Sequence, residues 1–261
     1  MDETGSLLVN MEDDIARLVA KTWARYQVLP ADKRLLIGIA GIPGSGKTTL
    51  ASAVTARLQA LHNNNTITSS SPPPTSETPK VIAQCLSMDG FHLPRAALSA
   101  MPDPARAHAR RGAAFTFDAP AFLDLVTSLR RPLPPPSPPS SSSSHSSSSP
   151  PIMAPSFDHA VKDPVQNDVS VHRDARIVLV EGNYVALDEP VWRDARALFD
   201  EVWFVEVDLG VARARLAARH VRAGIAADLE AGDRRAIEND IPNGREIIGK
   251  LLPVDEVIRS R

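Results

Sequence analysis

The chain has 261 residues, 29 Lys and Arg against 31 Asp and Glu, and a formal net charge of −2. That balance argues against general nucleic-acid binding or attachment to a membrane surface. A single cysteine, Cys85, rules out an internal disulfide framework and is compatible with a reducing compartment.

The N-terminus carries Asp2, Glu3, Glu12, Asp13 and Asp14, unlike a secretory signal or an organellar transit peptide. No run of eighteen apolar residues is present, so no membrane span is expected. The expected location is the cytoplasm, with the nucleus left open. Ile15, Leu18, Val19, Trp23 and Tyr26 keep helical spacing. They predict a helix over about 11–27, with Asn10 as its N-cap. Residues 1–34 form this N-terminal helical unit and 35–261 the main domain.

Leu35-Leu36-Ile37-Gly38-Ile39-Ala40 reads as a buried parallel strand. Gly41-Ile42-Pro43-Gly44-Ser45-Gly46-Lys47-Thr48 follows and fills every position of the phosphate-binding loop pattern. A helix then opens at Thr49. Glycines in such a loop let successive N–H groups point at phosphate oxygens, and the helix N-terminus adds positive potential. Residues 41–49 are therefore the candidate nucleotide site, with Lys47 on the β- and γ-phosphates and Thr48 on Mg²⁺.

Residues 62–79 hold one aliphatic side chain, Ile67, and in 132–151 eighteen of twenty residues are Pro or Ser. Neither segment buries enough apolar surface to offset its ordering entropy. Both are expected to be disordered insertions. Between them, residues 81–86 read as a second core strand ending at Ser87-Met88-Asp89-Gly90-Phe91-His92. Residues 119–130 read as an amphipathic helix. A third strand at 176–180 ends at Glu181-Gly182-Asn183-Tyr184, and a fourth covers 202–207. Residues 211–222 form a basic helix, and 246–248 and 256–258 compete for a final strand.

Strands alternating with helices imply an α/β fold with a five-stranded parallel sheet, helices on both faces and a small helical lid. Ligands in such sheets sit beyond the carboxyl ends of the strands. The loop at Gly41, Asp89 and Glu181 would then share one edge. Asp89 is the candidate general base for an attacking hydroxyl, and Glu181 the acid that orients Mg²⁺. Arg215 and Arg219 are four apart on the basic helix and are candidates for neutralising a transferred phosphoryl group. Arg106, Arg110 and Arg111, followed by Phe115-Thr116-Phe117-Asp118, could frame a polar or anionic substrate. They fit a helix boundary equally well, with Asp118 as its cap.

Taken in order, these pieces resemble the uridine kinase, phosphoribulokinase and pantothenate kinase group of P-loop kinases. The likeness is nearest to the fungal uridine-kinase-like ATP-dependent kinases and the bacterial fructose-transport-system kinases. It is carried by the phosphate loop, Met88-Asp89-Gly90-Phe91-His92-Leu93, Arg111 to Asp118, Pro155-Ser156-Phe157-Asp158-His159 with Lys162-Asp163-Pro164-Val165, Val180-Glu181-Gly182-Asn183-Tyr184, Arg215 to His220 and Asn239-Asp240-Ile241-Pro242-Asn243-Gly244. The resemblance implies a P-loop NTPase fold, ATP as donor, Mg²⁺ as cofactor and a small hydroxyl compound as acceptor. It implies an acceptor site at His92, Arg111, Phe117, Asp118, Asp158, His159 and Tyr184. The alternative is a P-loop NTPase or a non-catalytic nucleotide-binding protein that uses its Pro/Ser segment for partners. The sequence leaves the acceptor open, and the oligomeric state too, with a homodimer among the options.

Overall fold

The computed structural model describes residues 11–69, 80–133, 151–158 and 160–261. The chain opens with α1 (Glu12–Gln27), β1 (Leu35–Gly41), α2 (Lys47–Ser69) and β2 (Ala83–Ser87). A 3₁₀ turn at Met88–Phe91, α3 (Arg95–Ser99), α4 (Pro104–Ala109), a 3₁₀ turn at Ala114–Thr116 and α5 (Ala119–Leu129) follow. Next come β3 (Met153–Asp158), β4 (Asp163–Ser170), β5 (Ile177–Gly182), α6 (Trp192–Arg196) and β6 (Glu201–Val207). The chain closes with α7 (Leu209–Arg222), α8 (Leu229–Arg235), a π turn at Ala236–Asp240, α9 (Ile241–Gly249) and β7 (Glu256–Ser260).

Every residue of β1 and β5 is buried, as central strands covered on both faces must be. The sheet order is β2-β5-β1-β6-β7, and all pairs are parallel. Side-chain alternation splits the core in two. Leu35, Ile37, Ile39, Ile177 and Leu179 pack with Ile15 and Leu18 of α1 and Leu50, Val54 and Leu58 of α2. Leu36, Ala40, Val178 and Val180 face the other way, onto Phe122 and Leu125 of α5 and Trp192 of α6. A side chain of this size contributes about 1.5–3 kcal/mol when fully buried. The expected five-stranded α/β sheet is therefore present.

The register does what the sequence argument required. Glu181 lies opposite Ile39 on one side and Ser87 on the other. The ends of β1, β2 and β5 thus come out together at one edge.

Several details differ from expectation. The N-cap of α1 is Met11, which makes no side-chain cap bond; Asn10 lies outside the described residues. Helix α2 runs on to Ser69, where an unstructured insertion was expected from residue 62. Propagating a helix adds one hydrogen bond per residue, so a buried first half can carry a polar second half; Gln59 Nε2 also donates to Asn63 Oδ1 at 2.9 Å. Residues 70–79 and 134–150 lie outside the described residues. Glu181 falls inside β5, not after it. The final strand is at 256–260, whereas 246–248 belong to α9, where Ile247 is buried and Ile248 exposed. The antiparallel hairpin β3–β4 was not anticipated. Its residues are only partly buried and carry no clear period-two apolar pattern.

Candidate active site

The phosphate loop needs its glycines. Gly44 and Gly46 take φ of 79° and 91°, in the left-handed region that L side chains avoid. A Cβ at Gly44 would also lie 2.9 Å from the Ala212 carbonyl oxygen of α7, so the loop packs directly on the root of the basic helix. The Ser45 hydroxyl inside the loop is buried with no hydrogen-bond partner among the described residues. Helix α2 starts at Lys47 and has no acidic residue in its first turn. Its positive end is left for an external anion.

Lys47 is the electrostatic focus. The residue as a whole is partly exposed, but its ammonium is crowded by the strand ends. Burial lowers its pKa from the ordinary lysine range; Glu181, Asp89 and Asp240 oppose the shift, and Arg219 adds to it. Yet the ammonium makes no hydrogen bond or ion pair with any described residue. Glu181 is 3% exposed, and burial raises its pKa, with Asp89 pushing the same way. Lys47 and hydrogen bonds from the Ser87 and Thr48 hydroxyls act against that rise. Loop, Thr48, Ser87, Asp89, Glu181 and Arg219 therefore converge at one point.

These groups suit a magnesium nucleotide. Mg²⁺ is typically held by one or two carboxylates together with substrate phosphates and water. Thr48 and Glu181 could supply one hydroxyl and one carboxylate of such a partial set. Among the described residues, no cluster of three or more His, Cys, Asp and Glu forms a self-sufficient metal cage.

Asp89 sits in the 3₁₀ turn that ends β2, and Ser87 caps the turn by accepting from the Asp89 N–H at 3.2 Å. Gly90 is required for a steric reason: a Cβ there would meet the Pro155 carbonyl oxygen at 2.2 Å. The hairpin β3–β4 is thereby seated against the turn that carries Asp89.

The residues expected to line an acceptor site are held differently. His92 Nδ1 contacts the Asp89 carbonyl at 2.8 Å, and its ring lies 4.0 Å from Phe117 and 4.9 Å from Phe157. The Arg111 guanidinium donates to Asp163 at 2.9 Å and to the Leu93 carbonyl at 3.0 Å, and lies 5.6 Å from the Phe157 ring centre. Phe117 is core, and Asp118 caps α5 by accepting from Ala121 N at 3.0 Å. Asp158 accepts from the Ala160 and Val161 N–H groups in the hairpin turn. Tyr184 is fully buried and donates its hydroxyl to the Gly112 carbonyl at 2.6 Å. Phe117, Asp118, Asp158 and Tyr184 thus make structural contacts, His92 contacts the Asp89 backbone, and Arg111 and His92 both lie against the Phe157 ring. His159 lies outside the described residues.

The two lid arginines separate. Arg219 acts on Lys47, whereas Arg215 donates to the Gly44 carbonyl at 3.3 Å, the Ser260 hydroxyl at 2.8 Å and the Arg261 carbonyl at 2.7 Å. Arg215 therefore ties the phosphate loop to Ser260 and Arg261, while Arg219 acts on Lys47. Sequence reasoning assigned no role to Ser87, Phe157 or Asp163. Ser87 was within reach, because a Ser two residues before Asp89 at a strand end fits a cap. Asp163 was not, since it meets Arg111 only through tertiary packing.

No family model matches the chain. It is 47% identical over 171 residues to the ATP-dependent kinase-like protein notR' of Aspergillus versicolor, spanning 66% of this chain and 92% of that one. A Schizosaccharomyces pombe protein provisionally named uridine kinase C227.14 is 36% identical over 234 residues, spanning 90% of this chain and 86% of its own length. The crystal structure of a provisionally named fructose transport system kinase from Silicibacter sp. TM1040 superposes with a TM-score of 0.71 at 29% identity, covering 93% of this chain and 98% of that one. With the phosphate loop, the sheet order and these relatives in agreement, the chain belongs to the family of uridine-kinase-like, ATP-dependent P-loop kinases.

Proposed function

We propose that the protein transfers the γ-phosphate of ATP, with Mg²⁺, to a hydroxyl of a small metabolite. Lys47 carries this reading: a crowded cation in a glycine loop, beside a positive helix end, with no anion among the described residues bonded to it. Burying such a charge is costly unless a ligand compensates it. A nucleotide phosphate is the anion that this geometry suits.

Asp89 takes the acceptor's hydroxyl proton as the hydroxyl oxygen attacks the γ-phosphorus. The O–P bond forms as the bond to the β–γ bridging oxygen breaks, and ADP leaves with that electron pair. Lys47 and Arg219 neutralise charge on the transferred group. Thr48 and Glu181 would hold Mg²⁺, which would supply charge neutralisation on the nucleotide phosphates. His92, Arg111 and Phe157 frame the acceptor, which is a nucleoside such as uridine, a sugar or a pantothenate-like alcohol. All these groups come from one chain, so a monomer or a homodimer serves the chemistry equally.

The test is ADP release by the purified full chain with MgATP and a panel of these alcohols, each product identified by mass. Acceptor-dependent ADP release with a phosphorylated product is expected. Nucleotide turnover that ignores every acceptor would sink the reading.

A further inference from the structure

Lys47 answers to a third carboxylate besides Glu181 and Asp89. It is Asp240, which comes from the C-terminal part of the chain and not from the strand edge. Asp240 ends the π turn Ala236–Asp240, just before Pro242 at the start of α9. Proline has no N–H to give and its ring crowds the carbonyl four residues back, so a regular α-helix cannot run through this point. The chain widens into a π turn instead, and such turns recur at functional sites.

The turn reaches in two directions. Asn239 Nδ2 donates to the Arg111 carbonyl at 2.8 Å, and Asn243 in α9 accepts from Arg110 Nη2 at 2.6 Å, which ties the turn to the acceptor-side loop. Asp240 Oδ2 lies 2.8 Å from His220 Nε2 on α7. Both side chains are well covered, at 13% and 6% exposure, so solvent screens the pair little. The other ring nitrogen of His220 is buried without a hydrogen-bond partner among the described residues. A dry imidazole nitrogen costs free energy, and the contact with Asp240 is what fixes the ring. His220 adjoins Arg219, whose charge acts on Lys47. The root of the same helix packs on Gly44 of the phosphate loop.

We propose that Asp240 and His220 are a positioning pair that sets the lid helix α7, and Arg219 with it, over the phosphate loop. Neither residue touches the reacting atoms. The pair's purpose rests on the kinase reading above, but its geometry does not. Through Asn239, the π turn carries the acceptor loop and the lid on one rigid piece, so the two sides of the cleft are set together.

The test uses the full chain and two measurements: hydrogen exchange over residues 209–222 without nucleotide, and MgATP affinity by calorimetry. His220→Ala and Asp240→Ala should each speed that exchange and weaken MgATP binding by about ten-fold, the low end for a hydrogen bond to a charged group. His220→Gln keeps a donor near the Nε2 position and should stay close to wild type. Asp240→Asn keeps the acceptor and loses the charge, so exchange should stay slow while affinity changes. The double alanine variant should be no worse than either single one, since the two residues act as a unit. Wild-type exchange and affinity in both alanine variants would overturn the proposal, as would a His220→Gln variant as damaged as His220→Ala, or additive effects. Should Asp240→Ala not fold, His220→Ala against His220→Gln decides alone. A wild-type chain that binds no MgATP would overturn the kinase reading, while exchange over 209–222 would still decide the pair.

Discussion

The two sides of the cleft handle charge in opposite ways. On the nucleotide side, Lys47 is crowded, neither its ammonium nor the Ser45 hydroxyl has a bonded partner among the described residues, and α2 opens without an acid. On the acceptor side, Arg111 is paired with Asp163, Asp158 closes its own turn and Asp118 caps its own helix. The first side is unfinished without a ligand. The second is largely tied up in its own pairs, with the Arg110 and Arg111 Nε atoms left buried without a partner among the described residues, so at the proposed site an acceptor would find most of its contacts among groups already held by the protein. This difference accounts for a nucleotide site that can be read at a glance and an acceptor that cannot.

Four perturbations should sharpen the contrast. Largest is Asp89→Asn, which removes the proposed base where the two sides meet. It should lower kcat by ~10²–10⁴ while leaving MgATP affinity near wild type; steady-state rates with calorimetry check this, and full turnover would remove Asp89 from its role. Next, Lys47→Met should cost about 10²–10³ in rate and weaken MgATP binding. The wild-type lysine has a lowered pKa, so MgATP affinity should fall as pH rises through a value below the ordinary lysine range. Titrations across that range should lose the dependence in Lys47→Met; an unchanged dependence would assign it to another group.

A smaller effect is expected from Asp163→Ala. It unpairs Arg111, so it should raise KM for the acceptor by about ten-fold, with kcat and KM for ATP within about three-fold. Equal damage to both substrates would show that the ion pair shapes the whole cleft. The smallest effect lies away from the cleft. Arg17 and Lys21 of α1 contact Glu256 of β7 at 2.7 and 2.6 Å and hold its carboxyl below the usual value. A depressed carboxylate contributes stability above its unfolded pKa of about 4.5 and loses it as pH falls through the lower folded pKa. Exchange over 12–27 should therefore quicken on acidification below that point, by an amount worth at most ~1 kcal/mol because the two partner cations are solvent-exposed. Glu256→Gln should flatten the response.

The nucleotide half was legible because its determinants are contiguous. A glycine loop, its strand and its helix lie within residues 35–58, and backbone conformation alone dictates the glycines. Asp89 and Glu181 were legible through one topological rule, that parallel strand ends share an edge, and the register of Ser87 and Ile39 with Glu181 bears it out. The hairpin was hidden because its partly buried strands lack a clean alternation. The split between Arg215 and Arg219 was hidden for another reason. Four residues apart on one helix means nearly one face, but whether that face meets a cleft or a chain end depends on what packs there. For Arg215 the answer is Gly44, Ser260 and Arg261.

By itself, then, the order of residues determined the sheet, its covered faces and a phosphate cradle, because period, glycine conformation and strand–helix alternation are local properties that survive any arrangement of distant segments. Tertiary packing alone decided which charges are quenched and which wait for a ligand. That choice turns on separations of a few ångströms between residues such as Arg111 and Asp163, or His220 and Asp240, that lie 52 and 20 positions apart in the chain, and Coulomb energy depends on distance in space rather than along the chain.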